Sequence, residues 1–180
     1  MRYTQQEICM MNRLRQLWEQ HVYWTRFFII STAADLGDLK PVTDRLLQNP
    51  GDFERALAPF YGPQKARHFQ KLLTQHLHIA GDLVNALKQQ ETAKANELRR
   101  SWYQNADEIA AFLSCVNRCC DQTTWKTMMY RHLQMTEQEA TLRLQGQYAE
   151  DVKLFDQIES EALEMADAMA GGIRAQCFRQ

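Results

Sequence analysis

Helix breakers are scarce in this chain of 180 residues, which holds seven glycines and four prolines. All four prolines (Pro41, Pro50, Pro59, Pro63) fall in one short region, and no glycine interrupts Asp82 to Gln145. Long uninterrupted helices are therefore expected. An excess of one charge is also missing: Lys and Arg total 21 against 22 Asp and Glu, a formal net charge of −1. That balance gives no reason to expect nucleic acid or an anionic membrane as a partner. The longest apolar stretch, Val22 to Ala34, is too short to span a bilayer and carries Arg26. Met1-Arg2-Tyr3-Thr4-Gln5-Gln6-Glu7 is polar and acidic where a secretion signal is basic and then apolar, so a cytoplasmic location is expected.

Cysteine is sparse and odd in number (Cys9, Cys115, Cys119, Cys120, Cys177), with no Cys-x-x-Cys pair. Neither a disulfide framework nor a thiolate zinc site is supported; small buried residues plus a surface thiol near Cys120 suffice. Glu-x-x-His, His-Glu-x-x-His, P-loop, Gly-x-Gly-x-x-Gly and Gly-x-Ser-x-Gly patterns are all absent. Their absence removes the usual di-iron, zinc-peptidase, nucleotide and hydrolase signatures, and no nucleotide cofactor is expected.

What is present is helical periodicity over one domain spanning 1–180, with 45% hydrophobic residues to build a core. The first long helix runs from Thr4 to Ala33, with Leu14, Leu17, Trp18, Trp24 and Phe28 on its stripe. A second opens at Pro63 and carries Phe69, Leu72, Leu73, Ile79, Leu83 and Leu87. The third carries Leu98, Trp102, Ile109, Phe112 and Val116. The fourth, capped by Asp121 or Thr123, carries Trp125, Met128, Met129 and Leu142. The fifth carries Val152, Phe155, Ala162, Ala166 and Met169 and stops at Gly171-Gly172. The segment 35–62, with Gly37, Pro41, Asn49-Pro50-Gly51-Asp52 and Pro59, reads as two short helices crossing one end. Short connections elsewhere imply an all-α, antiparallel up-and-down bundle. Two similarities suggest duplication of a helical hairpin: Trp18-Glu19-Gln20-His21 with Trp102-Tyr103-Gln104-Asn105, and His76-Leu77-His78-Ile79-Ala80 with His132-Leu133-Gln134-Met135-Thr136. Chance amphipathic patterning remains the competing explanation.

The informative residues are those that break the apolar stripes. His21, His76, Asn105, Glu108, His132, Glu139 and Glu159 fall in phase with them, and Asp156 lies one position off. Counted from the helix ends at about 1.5 Å per residue, His21, His76, Asn105, His132 and Glu159 share one central layer, with Glu139 about 10 Å away. His68 and His78 read as surface residues. A buried polar group without a partner costs roughly 2–7 kcal/mol, so such a layer must be paired. A divalent metal (Zn, Fe, Mn or Ni) held by His21, His76, His132, Glu159, Glu108 and Asp156, with Asn105 and Glu139 orienting them, is one solution. A structural hydrogen-bond network that fixes helix register is the other. Exposed Tyr23, Phe27 and Ile30 would favour the second, in an interaction or homo-oligomerisation module. Whether any such site is catalytic stays open, since an open coordination position suits redox or hydrolytic chemistry alike.

Several segments resemble a family of small helical-bundle proteins of Gram-positive bacteria. They are Leu17-Trp18-Glu19-Gln20-His21-Val22, Thr43 to Leu47 with Asn49-Pro50 and Phe53, Phe60-Tyr61-Gly62, Leu72-Leu73-Thr74 with His76-Leu77, Trp102-Tyr103 with Asn105-Ala106-Asp107-Glu108-Ile109, and Tyr148-Ala149 with Asp156 and Ile158-Glu159. Members often carry the label acetylglutamate kinase. That enzyme's fold is α/β with glycine-rich phosphate loops, and this chain has neither strands nor such loops, so the label does not carry over and the resemblance implies a helical bundle with no established activity. It is loosely similar as well to ferritin-like bundles with His and carboxylate ligands.

Overall fold

The computed structural model describes residues 3–178. Its elements, all helical, are α1 (Gln5–Ala33), α2 (Leu39–Leu46), α3 (Asn49–Tyr61), α4 (Pro63–Lys88), α5 (Thr92–Val116), α6 (Gln122–Leu144) and α7 (Tyr148–Cys177). Among the described residues there is no strand, and no helix is long and apolar enough to cross a membrane.

Local chemistry sets most of the boundaries. Thr4 caps α1 in a reciprocal box with Glu7: its Oγ1 accepts from the Glu7 amide at 3.2 Å, and Glu7 Oε2 accepts from the Thr4 amide at 2.7 Å. Asp121 caps α6 by accepting from the Thr124 amide at 2.7 Å. Gly62, at φ +82°, ends α3, and Pro63 opens α4 in the next residue. The expected stop at Gly171-Gly172 does not occur, because α7 continues to Cys177. Gly172 serves close packing instead: a Cβ there would lie 2.8 Å from Cys120 Sγ and 3.2 Å from Asn117 Nδ2. Cys120 is accordingly the buried thiol, and the other four cysteines are exposed, the reverse of the sequence expectation.

Direction follows from cross-helix pairs. Arg15–Asp167 and Arg26–Asp151 make α1 and α7 antiparallel, and Arg99–Glu137 with Lys126–Asp107 do the same for α5 and α6. The contacts of α1 with α4 run the other way: His21 lies by His76 and the Thr32 carbonyl by Lys88 Nζ, so these helices are parallel. The α2–α3 crossover makes that possible by returning the chain to the end where α1 began. As a result α1, α4 and α6 all point one way and touch one another along the centre. Each gap between them is filled by one of the remaining long elements: α3 between α1 and α4, α5 between α4 and α6, α7 between α6 and α1.

The main core lines these contacts, with Leu17, Phe53, Phe69, Leu113, Leu133, Ile158 and Met165 fully enclosed. Burial of such side chains contributes about 1.5–3 kcal/mol each. A smaller cluster of Phe28, Ile29, Val42, Leu46, Leu77, Val84 and Ala140 sits under α2.

Candidate metal centre

Each of the three central helices carries one histidine on its inward stripe. His21 follows Leu14, Leu17 and Trp18 on α1; His76 follows Phe69, Leu72 and Leu73 on α4; His132 follows Trp125 and Met129 on α6. All three are 2–3% exposed. Because the helices run the same way and the histidines stand at one height, the rings meet: centroids lie 5.6 Å apart for His21–His132, 6.3 Å for His21–His76 and 6.4 Å for His76–His132. One ring nitrogen of each falls within 4.8 Å of those of the other two.

Nδ1 of each ring is tied down by a side chain of a flanking helix, α3, α5 or α7. His21 Nδ1 lies 3.2 Å from Asn49 Oδ1, His76 Nδ1 lies 2.9 Å from Asn105 Oδ1, and His132 Nδ1 lies 3.2 Å from Glu161 Oε2. The amides cannot be reversed without loss. Asn49 Nδ2 donates to the Leu17 carbonyl at 3.0 Å, and Asn105 Nδ2 donates to the Leu72 carbonyl at 3.1 Å. Each carbonyl belongs to the residue four before the histidine served. With the amide oxygens facing the rings, Nδ1 must carry the proton and donate, which leaves Nε2 with a free lone pair. Only His76 Nε2 is engaged, accepting from Trp102 Nε1 at 3.2 Å. Burial pushes the His21 imidazole well below its ordinary pKa, with His132 and His76 adding to the effect. Burial likewise lowers His76, to about 3. Both rings are therefore neutral near pH 7, the form that ligates metal.

The arrangement is threefold in sequence as well as in space. Asn49, Asn105 and Glu161 follow one another at intervals of 56 residues (105 − 49 and 161 − 105). Phe53, Ile109 and Met165 keep the same interval in the core, as do Leu57, Leu113 and Met169. The unit is a histidine helix plus its orienting helix, repeated as α1–α3, α4–α5 and α6–α7. The expected pairing of Trp18–His21 with Trp102–Asn105 is out of phase with this repeat. The pairing of His76–Ala80 with His132–Thr136 is in phase.

The structure brings together His21, His76, His132 and Asn105 of the residues singled out from sequence, and it adds Asn49, Glu161 and Trp102. It does not bring in the other carboxylates, and those assignments are corrected. Glu108 and Asp156 are exposed, and Glu108 accepts from Gln104 Nε2 at 3.3 Å. Glu159 is partly exposed and accepts from Tyr23 Oη at 2.6 Å. The inward stripe of α7 is Leu154, Ile158, Glu161 and Met165, so Glu161 and not Glu159 faces the layer. Glu161 Oε1 is buried and has no hydrogen-bond partner.

Glu139 does not orient the histidines either. It is buried in an ion network: Arg26 Nη1 donates to Glu139 Oε1 at 2.6 Å and to Asp151 Oδ1 at 2.9 Å, and Arg143 Nη2 reaches Asp151 Oδ2 at 2.5 Å. Burial raises the Glu139 carboxyl to about 7 despite Arg26.

Comparison with known proteins returns no matching family model, no matching curated protein and no matching solved structure, so this histidine layer stands on its own geometry.

Proposed function

We propose that the protein binds one divalent metal ion on the axis of its three central helices, with the Nε2 atoms of His21, His76 and His132 as ligands. The observation that carries this reading is the uniform anchoring of Nδ1. Three buried imidazoles, on three helices, each give that proton to a different acceptor, which fixes both tautomer and ring orientation. A buried network needs its members satisfied, but it does not need three imidazoles gathered with one nitrogen of each within 4.8 Å of the others and two Nε2 atoms left without a partner. The unpartnered Glu161 oxygen adds to the case. A carboxylate in a dry core is costly, and a cation one imidazole away would offset it.

Three nitrogen donors suit zinc, iron or nickel better than manganese. Zinc–nitrogen bonds of about 2.0–2.1 Å require a tighter cluster than 4.8 Å, so loading draws the rings inward. Three protein ligands leave a coordination position for water or a substrate, and a bound ion would supply Lewis acidity there. The chain's own residues hold the three rings, keep those of His21 and His76 neutral and keep bulk water out. Any likeness to ferritin-like bundles would then lie in the use of a bundle core for metal. The donor set proposed here is nitrogen.

The bond from Trp102 Nε1 to His76 Nε2 favours the second reading, in which the layer is a structural network that sets helix register. Cobalt(II) titration separates the two. Under the metal reading, chelator-treated protein takes up one equivalent, develops visible absorption of a nitrogen-ligated site and changes its tryptophan fluorescence as Trp102 releases His76. Under the network reading, cobalt gives no saturable spectrum and chelator leaves the melting temperature unchanged.

A further inference from the structure

One turn beyond the histidines, toward the C-terminal ends of the three central helices, stand Thr25, Ala80 and Thr136. All three line a cavity of about 160 Å³. Trp102 lines it too, and its indole N–H is the group bound to His76, so this side chain reaches from the cavity wall to the histidine layer. Phe28 and Ala140 contribute apolar wall, and the exposed Asp82 and Asn85 mark the side on which the cavity opens. Apolar cavities of this volume admit a benzene-sized molecule.

Thr136 supplies the second observation. A threonine inside a helix ordinarily satisfies its hydroxyl on the carbonyl four residues back, as Thr25 does on the His21 carbonyl at 2.7 Å. Thr136 occupies the equivalent place after His132, is 4% exposed, and its Oγ1 has no partner. The hydroxyl itself is covered, and a turn of the Thr136 side chain toward the cavity that it lines would present this unpaired group to a polar atom seated there.

We propose that this cavity binds a small, mostly apolar molecule about the size of benzene that carries one hydrogen-bonding group, which pairs with Thr136. Part of the inference rests on the metal reading: a molecule seated there would touch Trp102, whose indole bonds His76, and would be felt by a bound ion through that side chain. The two parts are separable by experiment.

Phenol and benzene serve as probes, titrated calorimetrically into chelator-treated protein. Both are expected to bind saturably at one site. Thr136→Val is expected to weaken phenol about 2–10-fold while leaving benzene unchanged, as the loss of one hydrogen bond requires. Ala140→Leu fills the cavity and is expected to abolish both; Ala80→Leu is the second filling variant should the first fail to fold. Absence of saturable binding to the unaltered protein, or binding that survives both filling variants, overturns the proposal. Repeating the titration with cobalt present tests the link to the histidines. Phenol that shifts the cobalt spectrum supports both parts. Phenol that binds where cobalt does not load keeps the pocket and removes the metal. Phenol that binds loaded protein without moving the spectrum overturns the link alone.

Discussion

Lowering the pH from 6.5 to 4.5 should destabilise the metal-free protein by an amount that three buried groups determine. Unfolded, His21 and His76 titrate near 6.5; folded, the first lies well below that value and the second at about 3. Within this window the unfolded chain binds two protons that the folded chain refuses. Stability from these histidines is therefore complete above 6.5 and is lost as the pH falls toward the folded values. Glu139 acts in the opposite sense. Its folded value of about 7 exceeds the ordinary 4.5, so the folded chain holds a proton that the unfolded chain has released, and its contribution grows as the pH falls through this window. Two protons against one leave a net slope of one, about 1.4 kcal/mol per pH unit, or roughly 2.7 kcal/mol over the two units. That is a large fraction of the 5–15 kcal/mol typical of a domain. Urea unfolding midpoints measured at half-unit steps read it directly. Two variants split the sum: His76→Gln should bring the slope near zero, and Glu139→Gln should about double it. The lower bound stays at 4.5 because other carboxylates, such as Glu7 at about 2, come into play below it. A flat midpoint across the window in the unaltered protein, or one that rises toward acid, would refute the argument that these histidines are buried neutral.

Other perturbations follow from the same contacts. Asn105→Ala leaves the His76 Nδ1–H without a partner in the core, the Leu72 carbonyl keeping its helical bond, and should cost about 1–3 kcal/mol of unfolding free energy in urea. Arg26→Ala strands Glu139 and leaves Asp151 to Arg143 alone; it should cost about 3–5 kcal/mol at alkaline pH, where Glu139 is ionised, and less at neutral pH, where Glu139 without Arg26 holds its proton. The two adjacent glycines of α7 should separate by sign. Gly172→Ala drives a methyl group into Cys120 and should lower the melting temperature, whereas Gly171→Ala meets nothing within 4 Å and should raise stability by about 0.5–1 kcal/mol.

The helices and their central histidines were readable because burial and period are local signals. Leu17 and Trp18 fix the phase of His21, and Leu72 and Leu73 fix that of His76, within one turn of chain. The orienting residues were harder to see. Asn49 sits in Asn49-Pro50-Gly51-Asp52, which has the chemistry of a turn. In the folded chain that string opens α3 and places the Asn49 amide under His21. Sequence phase does not separate Glu161 from Glu159, because Phe155 and Ala162 flank both on a wide apolar face. Only the interval of 56 residues from Asn49 through Asn105 distinguishes them. The same interval identifies the true repeat, which is masked because the third copy replaces asparagine with glutamate and the first splits its second helix into α2 and α3. Gly171-Gly172 reads as a helix stop by composition, and only the approach of Cys120 reveals its other use.

The central claim is a metal ion held by three histidines, and elemental analysis of protein purified without a nickel column tests it most directly. The account predicts close to one equivalent of a single transition metal per chain, absent from His21→Ala and His132→Ala variants that still fold. Metal-free protein that acquires none from zinc, iron, nickel or cobalt solutions, with melting unchanged by chelator, would contradict it.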